Sequence, residues 1–232
     1  MASVTAPVGM RVREELLRVP RAAEPHRGYR LGKRAMDITI AGTALLVLSP
    51  FLLLVALLVK ATSPGPVLFR QERCGLRGTA FDMLKFRTMV EDAEARLDEV
   101  SEAARQGVHR TVDAPVFKSV DDPRVTTVGR YLRRFSIDEL PQLINVIRGE
   151  MSLVGPRPLV FAEAQLLPEG PRIRHSVPPG VTCIWQTSGR SRLSYETRMA
   201  MDIEYVERRS LRLDVALLLK TPLAVLSGDG AC

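Results

Sequence analysis

The sequence predicts an α+β, mostly helical protein built around one membrane-grade apolar run. Three observations predict it. Residues 38–59, ITIAGTALLVLSPFLLLVALLV, carry no charge; VLFRQERCGLRGTAFDMLKFRTM reads as two short strands about a turn; and the remaining apolar residues recur mostly at helical steps. At 232 residues the chain allows one compact domain with an appended element.

Residues 1–28 are rich in Pro, Ala and Arg with little apolar periodicity beyond Leu16 and Leu17, as expected of a mobile or surface-lying segment. The apolar run follows. As a straight helix it would rise about 33 Å, against a hydrocarbon thickness of about 30 Å. Pro50 at its midpoint removes a backbone donor and bends the helix, while the Ser49 hydroxyl can satisfy part of the freed backbone. Arg27, Arg30, Lys33 and Arg34 precede the run and Lys60, Arg70, Arg73 and Arg77 follow it, so both ends prefer the cytoplasmic side. Each half, 38–49 and 50–59, is about 15 to 18 Å long, enough to reach mid-bilayer and return. A re-entrant helical hairpin and a kinked single-pass helix both fit these residues.

After Ser63-Pro64-Gly65-Pro66 the two strands are joined through residues 75–78, with partial alternation in Phe81, Met83 and Lys85. Val90, Ala93, Leu97, Val100 and Ala104 predict an amphipathic helix with a solvated acidic face, and His109 follows it as an incidental loop residue. Asp121-Asp122-Pro123-Arg124 has turn chemistry, so Asp122 is read as structural before it is read as a metal ligand. PPGVTCIWQTSGR, 178–190, reads as extended and loop-like, its Gly189-Arg190 pair able to bring backbone and guanidinium close to a phosphate. LDVALLLKTPLAVL is interrupted by Lys220 and Pro222 and reads as an interfacial or core helix.

The net charge of +7 and pI near 9.8 favour anionic partners: nucleic acid, phosphorylated substrates or an acidic membrane surface. Aromatics at 5% leave few platforms for stacking single-stranded nucleic acid. Cys74, Cys183 and Cys232 spell neither a disulfide framework nor a zinc site, and no Walker, Rossmann or His-Glu-x-x-His pattern occurs.

The stretch RRFSIDELPQLINVIRGEMSLVGPRP, 133–158, carries the chemistry. Asp138 and Glu139 lie among Arg133, Arg134 and Arg148, and Arg157 is held between Pro156 and Pro158. Pro141 belongs in the first turn of a helix, so a helix through Leu143, Ile144 and Ile147 is expected to begin near Asp138. Asp138 would then be a plain N-cap, or Ser136 and Glu139 a capping box. The cationic surroundings favour a second reading, in which Asp138 stays ionised as a metal-binding or nucleophilic carboxylate.

These residues resemble a known family, the bacterial sugar transferases of the small monotopic polyprenyl-phosphate phosphoglycosyl transferase type, over about 33–221. The markers are KRAMD, Ser49-Pro50, KFRTM, DDPRVTTVGRYLRR, SIDELPQLINVIRGEMSLVGPRP, PGVTCIWQTSGR and the closing Asp202, Tyr205, Val206, Ser210, Asp214 and Lys220-Thr221. The resemblance implies a monotopic protein at the cytoplasmic face of the bacterial plasma (inner) membrane, with interfacial amphipathic helices and a re-entrant helix broken at Ser49-Pro50. The expected divisions are an N-terminal segment 1–30, a membrane helix 31–60 and a catalytic domain 61–232.

It also implies transfer of a sugar 1-phosphate from a UDP-sugar to a polyprenyl phosphate, releasing UMP, at the start of exopolysaccharide, capsule or O-antigen assembly. By position, Asp138 is the nucleophile and a Mg²⁺ ligand, and Glu139 its dyad partner. Arg133, Arg157, Arg190 and Lys85 would hold the phosphates, Lys85 having a role on a strand edge as its alternative. Cys183 stands where the family's Pro-Gly-x-Thr-Gly loop usually has glycine, which puts that loop's geometry in question. A membrane-tethered basic scaffold or nucleic-acid-binding protein, and a membrane lipid phosphatase, are the competing classes. The donor sugar and the oligomeric state, including any homo-oligomer, are not legible in the motifs.

Overall fold

A computed structural model describes residues 19–20, 22, 25–93, 95–96 and 122–227. Its first element, α1 (Arg27–Thr62), is the one helix among the described residues that is long and apolar enough to cross a membrane. Pro50 lies inside it and offers no N–H to the Leu46 carbonyl; Ser49 Oγ donates to that same carbonyl at 2.8 Å. The hydroxyl thus takes the place of the missing donor, as the Ser-Pro pair predicted.

Both halves of α1 pack on the same domain. Ala41 joins a core with Leu143, Val146, Met151 and Val154, while Val55 and Val59 pack with Phe86 and Leu132. Between those anchors the helix is bare, with Leu46 76% and Leu53 62% exposed. The KRAMD segment fixes the first half. Lys33 Nζ donates to the Val154 carbonyl and to Asp214 Oδ2, both at 3.0 Å, and Asp37 Oδ1 accepts from Leu153 N at 3.0 Å. Arg34 donates to the carbonyls of Val146 (2.6 Å) and Ile147 (2.8 Å) at the end of a later helix, adding to the Gly149 N–H that the Val146 carbonyl already accepts.

The chain leaves α1 through residues 63–66, where buried Arg87 donates to the carbonyls of Ser63 (2.6 Å) and Pro66. The expected hairpin follows: β1 (Leu68–Cys74) and β2 (Ala80–Phe86) run antiparallel about a 3₁₀ turn, Leu76–Gly78, with Phe69 opposite Lys85. Residues 91–93 and 95–96 form turns, and the rest of the amphipathic helix expected over 90–104 lies outside the described residues, as do His109 and Asp121. At Asp122-Pro123-Arg124 the turn is formed: Asp122 accepts from Arg124 N at 3.0 Å and grips its guanidinium at 2.6 Å, so its carboxylate is structural.

Helix α2 (Thr127–Arg134) is capped by Thr126, whose hydroxyl accepts from Gly129 N at 2.9 Å. A 3₁₀ turn, Ile137–Glu139, leads into α3 (Gln142–Arg148), which ends at Gly149 in the left-handed region. The helix therefore starts after Asp138, with Pro141 preceding its first residue. Beyond it β3 (Ser152–Val154) pairs in parallel with β4 (Gly180–Thr182). That pair corrects the loop-like reading of 178–190; three-residue strands carry too little alternation to announce themselves. Between them lie α4 (Phe161–Leu166) and a 3₁₀ segment, Gly170–Ser176.

The chain closes with α5 (Tyr195–Arg208) and α6 (Leu211–Ser227). One side of α6 is core, with Asp214 and Leu217 buried, while Leu219, Leu223 and Leu226 are exposed. This agrees with a helix that is half core and half apolar surface.

Candidate functional site

The acid pair sits on the 3₁₀ turn between α2 and α3. Ser136 enters it at φ 52°, a left-handed conformation uncommon outside glycine, and Glu139 N closes the turn on the Ser136 carbonyl at 3.2 Å. Neither expected cap exists: no side chain caps this turn or α3. Tertiary ion pairs have taken Glu139 instead.

Glu139 Oε1 receives Lys85 Nζ at 2.9 Å and Arg157 Nη2 at 2.5 Å, and Oε2 receives Arg157 Nη1 at 3.2 Å. A two-pronged guanidinium–carboxylate pair of this kind fixes orientation as well as charge. Although burial acts to raise its pKa, the Arg157 and Lys85 charges prevail and hold the Glu139 carboxyl well below the usual range. Burial lowers Lys85, with Glu139 opposing; Arg157 is raised, Glu139 outweighing its burial.

Asp138 is different. It is 7% exposed, yet its carboxylate accepts no hydrogen bond among the described residues. Burial pushes it up to about 6, against the downward pull of Lys85; Glu139 adds to the rise, and Arg133 and Arg157 oppose it. The sequence reading gave the arginines control of this carboxylate. Desolvation outweighs them, and Asp138 is nevertheless chiefly ionised at neutral pH. Among the described residues the dyad is thus one carboxylate spent on two cations and one without a hydrogen-bond donor.

Lys85 projects from β2 into the site and is no bystander on a strand edge. Arg133, at the end of α2, hydrogen-bonds Thr88 Oγ1 at 2.9 Å through Nε and acts on Asp138 by charge. Arg190 follows Gly189 with φ 54°; its pKa is lowered by burial, with Glu139 opposing and Arg157 reinforcing that change. Its guanidinium makes no hydrogen bond among the described residues. All four cations expected from the sequence therefore converge on the dyad.

Arg157 is held from behind by Arg174, which the sequence did not single out, and through it by Asp202, one of the closing markers. Arg174 Nη2 donates to the Arg157 carbonyl at 2.6 Å and to Asp202 Oδ2 at 2.5 Å, in a fully buried pair. The loop carrying Arg157 also crosses the loop before β4 so closely that a Cβ on Gly180 would lie 2.0 Å from Gly155 N. Asn145 ties α3 to β2, accepting from Leu84 N at 3.0 Å and donating to the Asp82 carbonyl at 2.7 Å. Cys183 is buried and bonds Gln186 Oε1 at 3.0 Å; its φ is not in the left-handed region, so cysteine adds no backbone strain. Cys183 and Cys74 are both free thiols, pushed up by burial.

A free buried carboxylate, a ring of cations around its neighbour and a long apolar helix packed beside them define a class: a protein handling phosphate esters next to an apolar phase. Comparison with known proteins narrows it. The chain belongs to the bacterial sugar transferase family, whose profile matches residues 28–228. It is similar to the exopolysaccharide production protein ExoY of Sinorhizobium fredii, 45% identical over 203 residues that cover 87% of this chain and 88% of that protein. It is 40% identical over 206 residues to the undecaprenyl-phosphate galactose phosphotransferase of Salmonella typhimurium, covering 88% of this chain and 42% of the relative. Against the UDP-glucose:undecaprenyl-phosphate glucose-1-phosphate transferase of Escherichia coli the identity is 42% over 200 residues, 83% of this chain and 39% of the relative.

Proposed function

We propose that this protein is a polyprenyl-phosphate sugar-1-phosphate transferase acting at the cytoplasmic face of the inner membrane, in the first membrane step of surface glycan synthesis. The single observation that carries the mechanism is the division of the dyad: Glu139 is held by Lys85 and Arg157, whereas Asp138 is buried and ionisable and accepts no hydrogen bond among the described residues. The acceptor class comes from the Salmonella and Escherichia relatives, whose names specify undecaprenyl phosphate.

In this reading the diphosphate of a UDP-sugar lies among Lys85, Arg133, Arg157 and Arg190. An Asp138 oxygen attacks the phosphorus that bears the sugar, and the bond from that phosphorus to the bridging oxygen breaks, releasing UMP. An oxygen of polyprenyl phosphate then attacks the same phosphorus, breaks its bond to Asp138 and restores the carboxylate. Arg157, locked by Glu139 and Arg174, offers preorganised charge to the transferring group at no reorganisation cost during reaction.

No cluster of three or more metal-ligating side chains occurs among the described residues. Mg²⁺ is commonly held by one or two carboxylates with substrate phosphates and water, so it would need the donor's diphosphate as well as the protein. Asp138 has the free carboxylate for it, and the ion would supply charge neutralisation to the diphosphate.

The re-entrant placement of α1 rests on its two anchored halves, its bare apolar middle and the Ser49 bond that supports a break at Pro50. Membrane lipids would then surround residues near Leu46 and Leu53, and the outer side of α6, with Leu219, Leu223 and Leu226, would lie at the same interface. The test is direct. Radiolabelled UDP-sugar without acceptor should label the protein, Asp138→Asn should abolish both labelling and UMP release, and label retained in Asp138→Asn would refute the assignment.

A further inference from the structure

Arg73 lies on β1, outside every motif that suggested the site, yet it reaches the same cluster. Its Nη1 donates to the Pro158 carbonyl at 3.2 Å, next to Arg157, and its Nη2 to Gln71 Oε1 at 2.5 Å. Nε is buried with no hydrogen-bond partner, and among the described residues no carboxylate comes within ion-pair distance of the guanidinium. The charges acting on it are those of Arg157, Glu163 and Glu139. A largely buried arginine with no ion-pair partner among the described residues is costly; Glu163 acts on it only from beyond ion-pair distance, and Glu139 is already paired with Arg157. Lys85, Arg157, Arg190 and Arg73 all act on Glu139, so the cations outnumber the carboxylates that face them. The missing charge has the sign of a phosphate.

We propose that Arg73 is a catalytic residue that binds the phosphate of the departing nucleotide, the one not attacked by Asp138. This rests on the transferase reading above. The attacked phosphorus must sit against Asp138, in the field of Lys85, Arg133 and Arg157. Arg73 stands on the Arg157 and Glu139 side of that field, beside the Pro158 end of the loop. A diphosphate reaching from Asp138 past Arg157 brings its second phosphate to Arg73. When the bridging bond breaks, UMP gains a negative charge, and a fixed guanidinium at that phosphate stabilises it as it forms.

The test uses the full chain in detergent or nanodiscs, with UMP as the probe. Arg73→Gln keeps an amide donor for Pro158 and removes the charge; Arg73→Lys keeps the charge. The Gln variant should raise the inhibition constant for UMP and the donor KM about tenfold or more, with the acceptor KM unchanged, and the Lys variant should stay within about threefold of the wild type. The proposal is overturned if the Gln variant binds UMP as the wild type does, or if Lys is as impaired as Gln, which would make the fork's backbone bonds the whole role. A wild-type protein that released no UMP from any UDP-sugar would instead refute the transferase reading.

Discussion

Lys33 and Asp214, 181 positions apart, meet at 3.0 Å in the core, and this pair docks the apolar helix onto the last helix of the domain. Asp214 is fully buried and also receives the hydroxyls of Tyr29 (3.1 Å) and Tyr205 (2.8 Å). The network explains why KRAMD precedes an apolar run: the charged residues hold the helix to the catalytic domain.

Lys33→Met leaves that carboxylate without its cation in a site that water does not reach. A buried pair broken on one side costs about 3 kcal/mol. In a protein of this size that corresponds to about 6 to 12 °C in thermal midpoint, measurable by scanning fluorimetry in detergent. An unchanged midpoint would mean that the two tyrosines suffice.

Glu139→Gln preserves shape but strips the charge that holds Lys85 and Arg157 in place. With the cations free to turn away, UMP release should fall by about 100-fold, comparable to the loss of one preorganised donor in a polar active site. Steady-state UMP release at saturating donor measures it. A variant within threefold of the wild type would remove Glu139 from the positioning of the site.

What the sequence disclosed was local. The hairpin, the Asp122 turn and the Ser49 bond inside α1 each lie within a few residues of the feature that betrays them, whereas the four cations were named from the family resemblance. The caps predicted for Ser136, Asp138 and Glu139 failed because a helix-start rule knows nothing of Lys85 on a distant strand or of Arg157 beyond β3. Arg174 and the β3–β4 pair escaped notice for the same reason, and Arg73 was read only as a charge flanking the apolar run. Their partners, Pro158, Asp202 and each other's strands, are joined only by tertiary contact.

Gly180→Ala tests the crossing beneath Arg157. The new methyl would overlap Gly155 N, an atom of backbone with no freedom to swing aside. The loops must part, and Arg157 moves with them. Donor KM should rise and kcat fall together, by about tenfold or more in kcat/KM, because positioning errors of about 1 Å are costly. Near-normal kinetics would show that the loops yield without disturbing the arginine.

His175 supplies a pH dependence of stability. Burial, joined by the Arg174 and Arg172 charges, pushes the imidazole down to about 3, and its Nδ1 lies 3.4 Å from Cys74 Sγ. Unfolded, it would titrate near 6.5. Between those values the unfolded chain holds a proton that the folded chain refuses, so this contribution is complete above about pH 6.5 and declines as pH falls toward 3. The slope is at most about 1.4 kcal/mol per pH unit. Denaturant midpoints at pH 7.5 and 5.5 should therefore differ more for the wild type than for His175→Gln, and equal differences would refute the assignment.

The long apolar helix α1 makes the last prediction. A straight α1 would be about 54 Å long and would carry Arg30 and Lys60 to opposite sides of a bilayer. Its first half is instead bound by Lys33, Arg34 and Asp37, and its second by Val55 and Val59, to one domain that cannot be on both sides. Pro50 weakens the ladder between them, and the Ser49 hydroxyl serves the Leu46 carbonyl that Pro50 leaves without a donor. Cysteines placed at Arg30 and Lys60, in a background with Cys74, Cys183 and Cys232 replaced by serine or alanine, should react with an impermeant maleimide from the same face. Both should label in inside-out vesicles and neither in intact spheroplasts. Labelling from opposite faces would establish a single-pass helix and would detach one half of α1 from the domain it packs against.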